Sequence, residues 1–180
     1  VNKLIRRELW KECGFQFPKG RYYEDLATIP KVMTKTKKIV YLPEVYYYYL
    51  MRDGSIMHSR NFEKNYEDRT WAVDQLLEYF ERENLIETYR NELEYLVFEN
   101  TYFVPSKEIV LNDRKSEYLK KFRDYAYNKF PQMNKNYYVQ QIAGKDKILL
   151  KLLQYRMYGM MVLMSQLRRM KDRLAAVSRR

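Results

Sequence analysis

Thiol and imidazole chemistry is almost absent from this chain, which has one cysteine, Cys13, and one histidine, His58. A lone cysteine excludes an internal disulfide and any zinc site built on several thiolates, and it suits a reducing compartment. A lone histidine leaves no material for a multi-histidine metal centre and little for a Ser-His-Asp triad. Glycine and proline are scarce, five of each in 180 residues, so most of the chain is expected in regular structure. No uncharged apolar run of about 18 residues occurs, which argues against a transmembrane helix. The opening Val1-Asn2-Lys3-Leu4-Ile5-Arg6-Arg7 is not a signal peptide and has no initiator Met, as expected of a chain that begins inside a longer one.

What is present is aromatic and basic. Hydrophobic residues make up 46% and charged residues 32%, a globular composition with enough apolar mass for one real core. Tyrosine alone supplies 19 residues, and its apolar ring and polar tip suit clefts and partner contacts. The formal net charge is +11, and residues 151–180 hold eight bases against Asp172 alone. That placement points to an anionic surface. Nucleic acid is not the expected partner, because the bases fall in no nucleic-acid recognition motif.

Periodicity divides the chain into a small α/β portion, 1–59, and a helical domain, 60–180. Leu4, Ile5, Leu9 and Trp10 keep helical spacing ahead of Gly14, a helix C-cap signal. A second helix is expected over about 25–37, with Pro30 uncomfortable inside it. Ile39–Leu42 and Val45–Leu50 read as short strands, with Tyr46 to Tyr49 alternating between core and cleft. Two short strands do not make a stable sheet, so partner strands outside this chain are expected. Helices follow from about 62 onward: one marked by Trp71, Leu76 and Phe80, one ending before Pro105, one over about 113–130 ending at Pro131, and a last one over about 145–174.

The chemistry-bearing pieces lie in the first third. In order they are Asn2-Lys3-Leu4-Ile5-Arg6-Arg7-Glu8-Leu9, Gly14-Phe15-Gln16-Phe17-Pro18, Tyr23-Glu24-Asp25-Leu26, Ile39 through Tyr48, and Arg52-Asp53-Gly54-Ser55-Ile56. This series resembles the second half of the catalytic domain of family-2, GT-A-fold glycosyltransferases of bacterial polysaccharide and teichoic-acid pathways. The resemblance implies a mainly α chain in which an incomplete GT-A catalytic domain with short strands precedes a C-terminal helical domain. It also implies inverting transfer of a sugar from a nucleotide diphosphate to an acceptor hydroxyl, on a saccharide or a lipid-linked molecule.

In that family the Glu-Asp pair supplies the catalytic base, here Asp25 with Glu24 in support. A carboxylate suits the task, since inversion requires a base beside the attacking hydroxyl. Arg52, Ser55 and Lys3 become candidates for the donor diphosphate, and His58 for a metal ligand. A divalent Mn or Mg ion is implied, held mainly by the half that this chain lacks: there is no Asp-x-Asp and no Gly-rich phosphate loop in these residues. The chain by itself is therefore expected to be inactive.

Plainer readings stay open beside these. Glu24 and Asp25 also serve as ordinary acidic residues at a helix N-terminus, and Arg52-Asp53-Gly54-Ser55 as a surface turn. The last helix is either core or an interfacial helix with its bases over anionic headgroups. The expected location is the cytoplasm, and the interfacial reading would make the protein peripheral at the inner face of the cell membrane. A basic helical binding or homo-oligomerisation module is the alternative to an enzyme.

Overall fold

A computed structural model describes residues 3–50 and 61–177, with side chains through residue 171. The chain is mainly helical and divides into two compact units, Val1–Thr88 and Tyr89–Arg180.

The first unit is built on two packed helices. α1 (Arg7–Cys13) stops at Gly14, whose φ of 65° is left-handed and whose N–H donates to the Lys11 carbonyl at 3.2 Å. Trp10 stacks on Phe17, with ring centroids 5.2 Å apart. α2 (Glu24–Thr34) keeps Pro30 in its interior, forgoing one hydrogen bond to the Leu26 carbonyl. α3 (Phe62–Arg82) begins where the Asn61 side chain accepts the Lys64 N–H at 3.0 Å, a helix-capping bond. Val32 of α2 is buried, as are Ala72, Val73, Leu76 and Phe80 of α3. Full burial of a side chain such as Val32 or Leu76 contributes about 1.5–3 kcal/mol. A hydrogen bond of 2.8 Å between Thr34 and Tyr79, and an ion pair of 2.7 Å between Lys35 and Glu83, join the far ends of the two helices.

The expected strands are not formed. Among the described residues no strand occurs, and the short-strand part of a GT-A domain is not seen. Residues 39–50 are exposed throughout, with Val45, Tyr46 and Leu50 each 71% accessible. Tyr46 to Tyr49 therefore have no buried face. The physical reason is the want of a ladder: β-rich side chains make a strand only where a neighbouring backbone takes their hydrogen bonds. No described segment does so.

In the second unit the helix before Pro105 does not end there. α4 (Arg90–Phe98), a π-helical turn over Glu99–Phe103 and α5 (Val104–Asn112) run on without a break. The Val104 N–H donates to the Glu99 carbonyl, five residues back. In α register the Pro105 ring would meet the carbonyl of Thr101, and the wider turn relieves that clash. α6 (Tyr118–Lys129) closes ahead of Pro131 as expected but starts later, after a turn in which Asp113 Oδ1 accepts the Lys115 N–H at 3.0 Å.

The short α7 (Tyr137–Gln140) hangs on Asn136, which is buried. Its side-chain oxygen accepts from the N–H groups of Tyr138 (2.9 Å) and Val139 (3.3 Å). Its amide donates to the Asn91 carbonyl and to Glu94, each at 2.9 Å. Phe98, Ile109, Val110, Phe122 and Met133 are fully buried in this unit.

The single helix expected over 145–174 is two, α8 (Gly144–Gln154) and α9 (Tyr158–Val177). The break is a left-handed C-terminal turn centred on Arg156, with φ of 56°. The Arg156 N–H donates to Leu153 (3.0 Å) and the Met157 N–H to Leu152 (2.8 Å), the two bonds of a helix stop that ordinarily uses glycine.

Candidate active site

The Glu24-Asp25 pair opens α2, and the segment before it is clamped by the face of α3. Asp68 is the centre of that clamp. It is 1% exposed, yet it carries a carboxylate that accepts from Arg21 Nη1 at 2.8 Å, from the Tyr22 backbone N–H at 3.0 Å and from Lys64 Nζ at 2.8 Å. Burial pushes the Asp68 carboxyl up, and the hydrogen bonds from Lys64, the Tyr22 amide and Arg21 outweigh it, leaving the group below its ordinary value. A buried charge held on three donors is satisfied rather than stranded.

Aromatic contacts close the clamp. Lys64 Nζ lies 4.7 Å from the Tyr22 ring centre, the Arg69 guanidinium 4.3 Å from that of Tyr23, and the Arg21 guanidinium 5.0 Å from that of Trp71. The Tyr23 hydroxyl and Arg69 Nε both donate to Asn65 Oδ1, the second at 3.2 Å. These contacts hold Tyr23 at φ 59° and ψ 31°, a left-handed conformation unfavourable for a bulky residue by about 1–3 kcal/mol. The strained residue turns the chain directly into Glu24 and Asp25.

Both acidic side chains are exposed, and Asp25 Oδ1 accepts the Leu26 N–H at 2.9 Å. The position combines a solvent-facing carboxylate with the positive end of α2. One turn further on, Thr28 contributes to the wall of a cleft of about 190 Å³. Phe15, Pro18 and Trp71 give this cleft apolar and aromatic walls, and Gln16, Gln75, Thr28 and Lys31 give it polar ones. Burial, and after it the nearby Arg82, lower the Lys31 ammonium below its ordinary value, against an opposing pull from Glu78. Stacking surfaces beside amide and hydroxyl groups suit a polar ligand with an apolar face.

Of the other sequence candidates, Lys3 is exposed ahead of α1. Arg52, Ser55 and His58 lie outside the described residues. Among the described residues no three His, Cys, Asp or Glu side chains converge. Sequence reasoning missed Asp68 and the cleft face of α3. A signal existed: Asp68 stands four residues before Ala72 and eight before Leu76, an acid in register with an apolar stripe.

No helix among the described residues is long and apolar enough to cross a membrane. The chain is similar to the glycosyltransferase GlyG of Streptococcus pneumoniae serotype 4, with 30% identity over 112 residues, covering 52% of this chain and 34% of that protein. It thus spans about a third of the length of the curated relative it matches. No family model matches the chain, and no solved structure matches it.

Proposed function

We propose that this chain is the acceptor-side part of an inverting glycosyltransferase of the family-2, GT-A type, with Asp25 as its general base. The similarity to a named glycosyltransferase over about half the chain supports the reaction class. The observation that carries the residue assignment is the placement of Glu24-Asp25: exposed at the start of α2, fixed from behind by the Asp68 clamp, and one turn from an aromatic-walled cleft. Part of an acceptor saccharide rests in that cleft, against Trp71. Asp25 removes the proton of the acceptor hydroxyl as its oxygen attacks the anomeric carbon, and the nucleoside diphosphate leaves from the opposite face. Glu24 keeps the local potential negative and disposes the base towards the hydroxyl.

Arg52, Ser55 and Lys3 are assigned to the donor diphosphate in this proposal. A divalent Mn or Mg ion rests on the family resemblance; its ligands would lie outside the described residues, His58 among them. The product is a cell-surface polysaccharide, and the acceptor a saccharide or lipid-linked glycan. The 180-residue chain has neither an Asp-x-Asp nor a phosphate loop, and is expected to turn over no nucleotide sugar unaided. The test is turnover of nucleotide sugars by the reading frame translated from its natural start, in the parent protein and in Asp25→Asn. Asparagine still accepts the Leu26 N–H but takes no proton, so turnover should fall by about 10²–10⁴-fold with nucleotide binding unchanged. Undiminished turnover would assign the base elsewhere.

A further inference from the structure

We propose that α9 docks on an anionic lipid bilayer, lying in its interface with one apolar face turned to the acyl chains. The helix buries one side in its own unit, where Met161 is 2% exposed. At about 100° per residue, Met160, Leu163, Leu167 and Met170 fall in a single sector about 80° wide on the far side from Met161. All four are between 46% and 59% exposed. Large apolar side chains in a continuous exposed stripe, rather than scattered singly, mark an interaction surface.

Charge decides between occupants. The three-four-three spacing of the stripe also fits the seam of a coiled coil with a second copy. Acids facing the flanking bases would favour such a seam, but α9 holds Asp172 alone against Arg168, Arg169, Lys171 and Arg173. Lys171 borders the stripe, Arg168 and Arg169 stand further round the helix, and all three are exposed. Two copies paired along this helix would therefore carry like net charge. An anionic bilayer instead takes the apolar stripe into its interface, where Lys171 beside the stripe reaches the headgroups and the net positive charge of the helix favours an anionic surface. Each Lys or Arg near such a surface contributes about fivefold in affinity. The helix is not apolar enough to cross the bilayer, so it lies along the surface. This inference stands apart from glycosyl transfer and from Asp25.

The test is co-sedimentation of the 180-residue chain with vesicles of phosphatidylcholine, with and without phosphatidylglycerol. The expected result is binding only to vesicles containing phosphatidylglycerol, weakened by salt. A Leu163→Glu, Leu167→Glu variant should lose binding about tenfold or more. An Arg168→Gln, Arg169→Gln, Lys171→Gln variant should lose it by a similar factor. Both change exposed positions, and unaltered circular dichroism and melting confirm the fold. Absent binding, equal binding to neutral vesicles, or normal binding by the stripe variant would overturn the proposal. So would a vesicle-independent drop in molar mass on mutating the stripe, which would make it a seam between copies.

Discussion

A carboxylate that is 1% exposed and holds Arg21, Lys64 and the Tyr22 amide titrates differently from one in water. The folded Asp68 binds its proton less readily than the unfolded one, so the folded state gains stability as pH rises through the carboxylate range. That contribution is complete above the unfolded value of about 3.9 and is lost as pH falls through the lower folded value. Denaturant titrations from about pH 5 downward should show the parent losing more stability than Asp68→Asn. Near neutrality, Asp68→Ala should cost about 1–3 kcal/mol. The cost stays moderate because Arg21 and Lys64 are 41% and 36% exposed and reach water once the acid is gone. The position of Asp25 at a helix start was legible from the Glu-Asp pair and the apolar spacing behind it. The clamp was not, because its partners Arg21 and Tyr22 lie 47 and 46 residues from Asp68, and the register of Asp68 with the apolar stripe does not say what it holds.

Two helix ends were legible because a special residue marks them: Gly14 ends α1 and Pro131 follows α6. Arg156 bears no such mark, so one helix was expected where α8 and α9 stand. Pro105 misled in the opposite direction, since a π turn carries the helix through it. Residues 39–50 have the side chains of strands but no pairing partner among the described residues, and β propensity gave no warning of that. Because Val45 and Tyr48 are exposed, Val45→Lys and Tyr48→Lys should each move stability by no more than about 0.5 kcal/mol. Asn136 is the contrasting case. Asn136→Ala leaves two amides of α7, the Asn91 carbonyl and Glu94 without their bonds, and should cost about 2–3 kcal/mol in a urea titration.

At the scale of the whole chain, composition and charge carried further than topology. A net charge of +11 concentrated late in the sequence directs attention to α9, and the helix adds the apolar stripe that composition does not reveal. The vesicle experiment probes that end of the molecule, and its outcome leaves the reading of the first unit untouched. That reading ties an exposed acidic pair, a buried clamp and an aromatic-walled cleft to one chemical task. The most direct check is nucleotide-sugar turnover by the naturally initiated protein, measured for the parent and for Asp25→Asn at matched folding and nucleotide affinity. A fall of about 10²–10⁴-fold is the predicted result; turnover equal to the parent would contradict the assignment and leave Glu24-Asp25 as a helix start alone.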